Sequence, residues 1–497
     1  MRSTSVAACI GFVVAAHTGF SQTMESSAAL DERAAQLEKR IEAQQKRLEN
    51  LQSTLASSSS QDVEAARTEA LKAQIREVLG EREFRESLMG STMQAGYDKG
   101  FYVKSSDEKF LMKFYGLLQV RWDWYSTRAS NRYRNPGAQR DDRTGFEIPR
   151  ARFGIQGHVY SKDLTYLLEL RSDAGRQNDT DIESAYLNYR FRDEFQIRAG
   201  TFRLASTRAQ VTSSSKQQAI DRVPVDAVFG LGVGTGVRFW GLLFDKRLEY
   251  NIDVVNSLNN QNNRVISPDP SELDGNPAIL FRTVWHALGD DPVNDCKLLS
   301  DLPKHTSPAL DIGFHYAFND DAGDRGTTRI PFPLVSGPGQ GGFGLTTTNG
   351  LQIHQFGWDG VFKYMGFSAT GEYILRIVDV RQADTRPFAP WYLLTTDSST
   401  VAQHGAYVQV GYFLPIAGLE DKLEAIARVG GISTLAGERE GTWEYSAGFN
   451  YYFFGNDVKL QMDVTKVSEV PISSTASSMA NVNDDALVFR MQMQLAF

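Results

Sequence analysis

ALVFRMQMQLAF (486–497) closes the chain. Leu487, Phe489, Met491, Met493, Leu495 and Phe497 are apolar, whereas Val488, Arg490, Gln492, Gln494 and Ala496 between them are mostly polar or small. Successive side chains of a strand point to opposite faces, so the stretch has one greasy face and one wet face. Whether the greasy face meets a core or lipid decides the fold.

The pattern repeats upstream. In NDVKLQMDVT (456–465), Val458, Leu460, Met462 and Val464 oppose Lys459, Gln461, Asp463 and Thr465. In EYSAGFNYYFF (444–454), Tyr445, Ala447, Phe449, Tyr451 and Phe453 oppose Ser446, Gly448, Asn450 and Tyr452. Runs of this kind predict sixteen strands, near 110–125, 146–160, 163–172, 181–192, 194–204, 229–241, 246–256, 278–287, 308–318, 353–364, 366–379, 403–414, 421–430, 442–454, 456–467 and 485–497. Their connections alternate long and short: STRASNRYRNPGAQRDDRTG (126–145) and then SKD (161–163), DAGRQNDTD (173–181) and then RDE (192–194). A membrane barrel has an even strand count, short turns at one end and long loops at the other. Aromatic residues at strand ends, as in RWDWY (121–125) and VGYF (410–413), suit its interfacial girdles. The expected fold is an all-β transmembrane barrel of sixteen antiparallel strands, with the greasy faces on lipid. One connection breaks the parity. LGDDPVNDCKLLSDLPKHTS (288–307) sits where a short turn belongs, so it is either an elaboration of the short-turn side or a sign of a misplaced strand.

The composition agrees. Over 497 residues the mean hydropathy is −0.34, and nothing after the first twenty residues is apolar for long enough to cross a bilayer as a helix. A formal charge of −8 argues against nucleic acid as a partner. Residues 1–22 read as a signal peptide, with Arg2 ahead of VAACIGFVVAA (6–16) and small residues before a cleavage point near Ser21. Cys9 is not a lipidation site on this layout, because the apolar run follows it. The mature chain then keeps one cysteine, Cys296, and no disulfide framework. Residues 23–92 read as a periplasmic helical segment. Leu30, Leu37, Gln44 and Leu51, interleaved with Ala34, Ile41, Leu48 and Leu55, give coiled-coil spacing over four heptads. A weaker helical stretch follows at 62–89, and the barrel domain occupies 93–497.

The segments AGYDKGFYVKSSDEKFLMKFYGLLQVRWDWY (95–125), FEIPRARFGIQGHVY (146–160), ESAYLNYRF (183–191), HGAYVQVGYFLP (404–415), YSAGFNYYFFGNDVKLQMDV (445–464) and the final FRMQMQLAF (489–497), in that order, resemble the phosphate-selective porin O/P family of bacterial outer membranes. The resemblance implies a sixteen-stranded barrel, usually a homotrimer, that passes small anionic solutes, phosphate among them, through a pore narrowed by its inward-folded third long loop. Here that loop is 205–228, also the third long connection on the parity of the connections. The implied localisation is the bacterial outer membrane, with the N-terminal segment in the periplasm.

Alternation assigns Lys113, Arg121, Arg198, Lys459 and Arg490 to the inner face, alongside acids such as Asp123, Glu169, Asp359 and Asp463. Rings of Arg and Lys favour anions, and the arginine fork matches phosphate oxygens. Most such charges line a wall and pair across strands. The candidates for an anion-binding constriction are therefore those of the third loop, Arg203, Arg208, Lys216 and Arg222, with Arg150 and Arg152 from the facing PRARF (149–153). Asp221 and Asp226 in the same loop weaken them by neutralisation.

Enzyme chemistry finds no support. There is no HExxH, no Cys/His set for zinc and no GxSxG elbow, and GPGQGG (337–342) has dinucleotide-loop spacing without the strand and helix that it needs. No cofactor and no metal are expected. The rival role is structural: the barrel anchors a coiled coil that tethers the outer membrane to the cell wall or to a periplasmic partner.

Overall fold

The computed structural model describes residues 39–47, 72, 93–98, 100–129, 141–173, 180–256, 258, 276–321, 328–329, 346–347, 351–380, 400–434, 442–468 and 484–497. The chain divides into two units, Met1–Ser91 and Thr92–Phe497. In the first, residues 39–47 are helical and Ile41 is exposed. The rest of the heptad stretch, the signal peptide and most of the second helical stretch lie outside the described residues.

The second unit is one closed antiparallel barrel. Its spanning strands are β1 (Leu111–Ala129), β2 (Asp141–His158), β3 (Leu164–Asp173), β4 (Asp181–Arg192), β5 (Phe195–Arg203), β6 (Val233–Leu243), β7 (Leu248–Val255), β8 (Ala278–Leu288), β9 (Ala309–Asp321), β10 (Leu351–Tyr364), β11 (Phe367–Val380), β12 (Thr400–Phe413), β13 (Leu423–Thr434), β14 (Thr442–Phe454), β15 (Val458–Ser468) and β16 (Asp484–Ala496). All sixteen coincide with the strands read from alternation, within a few residues at each end. Each pairs with the next, and β16 returns to β1 through pairs that run from Asp484↔Ala129 to Ala496↔Leu117. Closure leaves the ring of sixteen spanning strands without a free edge, as a hydrocarbon surround requires. A short hairpin, Gln94–Tyr97 with Phe101–Lys104, continues the pairing of β1 below the end of β16, with Phe101 opposite Phe114.

The faces settle the opening question. Leu487, Met491, Met493 and Leu495 are each at least 40% exposed, whereas Val488, Arg490, Gln492 and Gln494 are buried. An apolar exterior around a polar interior inverts the usual globular arrangement and is what lipid demands. Aromatic rings collect at both ends of the outer face: Trp443 and Tyr445 at one, Phe453, Phe454, Tyr364 and Phe367 at the other. No helix among the described residues is long and apolar enough to cross a membrane.

The short turns are tight. Met365 and Gly366, both at positive φ (49° and 81°), form the two-residue hairpin between β10 and β11 that a right-handed sheet twist favours. The long connection before β9 is an elaboration, since β8 and β9 pair directly on either side of it. It folds over the short-turn mouth. Cys296 and Leu299 pack on Ala309 and Val361, Lys363 Nζ donates to the Asp295 carbonyl (2.7 Å), and Asp301 accepts from Gly366 N (2.7 Å). His305 bridges Asp301 and Asp295, and Lys304 pairs with Asp421 across the β12–β13 turn (2.6 Å).

Candidate functional site: the third long loop and the passage beside it

Between β5 and β6 the chain carries α1 (Arg208–Val211), a 3-10 turn (Ser214–Lys216) and α2 (Pro224–Phe229). Thr207 caps α1 by accepting from Gln210 N, and Pro224 starts α2 with φ already set. These elements are too short to hold themselves in water. They are held by inward side chains from most of the circumference.

Much of the grip is on the main chain. The carbonyls of Ser206, Ser215, Gln217, Gln218, Asp221, Val228 and Phe229 each accept from the wall. Their donors are Arg282, Gln494, Lys459, Asn450 with Gln461, Arg428, Arg376 and Gln355 respectively, at 2.7–3.0 Å. In return Asp253 accepts from Ala205 N (3.0 Å) and Glu372 from Arg208 N (2.8 Å).

Side chains add two ionic clamps. Asp221 accepts from Arg121 (2.6 Å) and Arg490 (2.8 Å) on one oxygen and from Arg150 (3.0 Å) on the other, joining β1, β2 and β16 across the barrel seam. Burial alone would raise this carboxyl, but Arg121, Arg490 and Arg150 together hold it well below the ordinary carboxylate range. Opposite, Arg208 and Arg282 share the two oxygens of Asp359, each at 2.6 Å. Between the clamps Val223, Val225, Val228 and Phe229 pack on Ile374 and Tyr407. Gly405 and Gly430 make room there, since a Cβ at either would lie 2.8 Å from the Phe229 ring or from Val223.

The consequence is an off-centre lumen. The described inward side chains of β8–β12 are buried, Lys363 and Arg376 at 0% exposure. On β3–β6, by contrast, Glu169, Arg171, Tyr186, Arg198 and Trp240 stay partly exposed, as do Arg203 and Arg222 beside them. Here the arginines converge. Glu183 is approached by Arg171 (2.8 Å), Arg203 (3.0 Å) and Arg152 (3.7 Å). Arg152 also reaches Glu169 (3.6 Å), and Arg171 lies 3.9 Å from Asp181. Arg222 donates to the carbonyls of Ala209 (2.8 Å) and Thr212 (3.2 Å) and lies 3.5 Å from Asp226. Burial, and then the like charge of Arg203, push Arg222 down to about 9 despite Asp226, with Arg150 and Arg152 adding to the repulsion. The field around Arg222 is positive.

Of the residues singled out in the sequence, Arg152, Arg203 and Arg222 therefore meet near Glu183, Arg152 buried and the other two partly exposed. Arg150, Arg121 and Arg490 are drawn into the Asp221 clamp, and Arg208 into that of Asp359. Lys216 is apart, pushed down by burial and by the like charge of Lys297. Lys459 holds the Gln217 carbonyl, and Lys113 pairs with Asp98 (3.3 Å) at the short-turn rim. Arg198 lies over the rings of Tyr186 and Trp240. Asp221 neutralises wall cations rather than those of its own loop, whereas Asp226 does face Arg222. Alternation missed Glu183 and Glu147, a partner of Arg121. Both lie at β-bulges, where the pairing skips between Glu169 and Leu170 and between Gln119 and Arg121. A bulge turns an outward position inward.

The family model described as phosphate-selective porin O and P matches residues 126–264, in agreement with the resemblance read from the sequence. No curated protein matches the chain. Similar solved structures include an anion-selective porin from Comamonas acidovorans (8% identity, TM-score 0.49, covering 78% of this chain and 99% of that one). The outer membrane channel DcaP of Acinetobacter baumannii is another (13% identity, TM-score 0.46, covering 81% and 100%). A third is OmpT, an outer-membrane protein of Vibrio cholerae (11% identity, TM-score 0.46, covering 78% and 98%).

Proposed function

We propose that this chain is a porin of the bacterial outer membrane that passes small anions, phosphate among them, along the β3–β6 side of its lumen, narrowed by the loop 205–228. The observation that carries the reading is the arginine cluster. Arg152, Arg171 and Arg203 converge on Glu183, with Arg222 against Asp226 beside them, and Arg171, Arg203 and Arg222 keep some exposure to the lumen. Fixed guanidinium groups there lower the energy of a passing anion and raise that of a cation. The loop is not a flap on this reading. It is sewn to the wall, so the width of the passage is set by side chains.

Planar-bilayer recording of the purified protein tests it. In a potassium chloride gradient the reversal potential should show anion preference, and R203Q with R222Q should move it toward zero. Cation preference in the wild type would sink the proposal. Conductance in steps of three would support a homotrimer.

The filled lumen of β8–β16 favours a second reading, in which the barrel serves chiefly as an anchor and the 23–92 segment, as a self-associating coiled coil, tethers the envelope. Deleting 24–90 separates the two. A transport protein keeps its conductance, whereas a tether loses its envelope phenotype.

A further inference from the structure

Arg198 is a lumen cation that stands outside both clamps and outside the arginine cluster. Arg198 lies on β5, five residues toward the short-turn end from Arg203. Its guanidinium carbon is 4.2 Å from the ring centroid of Tyr186 and 5.5 Å from that of Trp240. Cation–π contact answers part of the charge without supplying an acceptor to the N–H groups. No side chain supplies one. The Nε of Arg198 is enclosed, and among the described residues no protein group accepts from it.

The two nearby carboxylates make their hydrogen bonds to other side chains. Asp253 is taken by both arms of Arg238 (2.6 and 2.7 Å), and Glu249 accepts from Asn251 (2.9 Å). Directly across the ladder from Arg198 stands Arg238, whose charge Asp253 answers. Around it the polar groups are fixed: Trp240 Nε1 donates to Asn188 (2.8 Å), and Asn188 donates to Gln196 (3.2 Å). A planar cation beside two aromatic rings, with no protein acceptor among the described residues for its N–H groups, is arranged for a ligand that brings acceptors and negative charge.

We infer that Arg198, beside the rings of Tyr186 and Trp240, is a second anion-binding step at the short-turn end of the passage, taking the carboxylate or phosphate group of a permeating solute. This rests on the reading of the β3–β6 side as an anion path. Separated from the Glu183 cluster along β5, it gives a leaving anion a second place to dwell, and multi-site occupancy of this kind keeps binding compatible with flow.

The test is chloride current through the full-length protein as inorganic phosphate, and separately acetate, is added on either side. In R198Q the half-inhibiting concentration should rise about ten-fold, the order expected for losing one bidentate charged contact. Chloride conductance without added oxyanion should stay close to the wild type, and R198K should restore the effect only in part. A shift for phosphate alone or for acetate alone names the group taken. Equal inhibition of wild type and R198Q overturns the proposal. If R198Q does not assemble, W240L, which removes one of the two rings, takes its place with the same expectation. If no current flows, line broadening of the phosphorus resonance of inorganic phosphate by the solubilised chain carries the same comparison. Ion preference is read separately from the reversal potential, so cation preference with Arg198-dependent inhibition sinks the porin reading while sparing the site.

Discussion

Phe497 and Gly116 exchange both main-chain hydrogen bonds, N to O at 2.9 and 3.1 Å, and the Phe497 ring lies over the glycine. A Cβ on residue 116 would stand 2.5 Å from the ring's Cζ. The last residue is thus paired with the first strand, its ring over space that a glycine leaves open. G116V should displace the ring and cost about 1–3 kcal/mol, the usual range for overpacking. Heat-modifiable migration on gels would show it as a lower unfolding temperature, and an unchanged transition would refute the role given to the contact.

Asp221 is the acceptor shared by three arginines from three strands. D221N should therefore act well beyond its own loop. Removing one member of a buried ionic set costs about 3–5 kcal/mol. The expected results are a lowered thermal transition and noisier single-channel current, as 205–228 loosens from β1, β2 and β16. A variant as stable and as quiet as the wild type would count against the clamp.

The two acids of the loop titrate in opposite directions. Burial raises Asp226, with Arg222 only partly offsetting it, whereas the arginines hold Asp221 below the ordinary 3.8. On acidification Asp226 takes its proton first, above 3.8, which leaves the neighbourhood of Arg222 more positive. The anion-to-cation permeability ratio should therefore rise as the pH falls toward 3.8, and D226N should hold it at the raised value at neutral pH. For Asp221 the native carboxyl is the depressed one, so its stabilisation is fully present above 3.8 and is lost only as the pH falls through the lower native value. The gap in unfolding temperature between wild type and D221N should stay constant down to about pH 3.8 and shrink below it.

Cys296, within the connection 288–307, is 2% exposed, and burial pushes its thiol up to about 12. Thiolate is the reactive form. In a C9S background, maleimide should leave the folded barrel unlabelled at neutral pH and modify it promptly once unfolded. Labelling of the folded form would show that this connection opens.

The barrel was legible because each strand carries its own two-faced pattern, and lipid outside with charge inside writes that pattern strongly. Leu487 to Leu495 and Val458 to Val464 show it without reference to anything distant. The site was legible only in part. Arg203 and Arg222 stood out as loop cations, but Glu183, which gathers Arg152, Arg171 and Arg203, sits at a bulge where strict alternation points it outward. Nor does local sequence distinguish Arg150, bound to Asp221, from Arg152, bound to Glu183, two residues apart on one strand. Which cation is consumed and which is left for solute depends on where a loop seventy residues away comes to rest.

The wall holds that loop largely by its carbonyl oxygens, and every residue type offers the same one. Such a grip is indifferent to what the loop carries. Gln210, Val211, Ser213, Arg222 and Ala227, whose side chains keep some exposure, can be exchanged while the path of the chain stays where the wall puts it. The scaffold thus separates heredity of shape from heredity of preference. Descendants of one barrel can come to favour different solutes by rewriting a handful of loop positions, with no strand obliged to change.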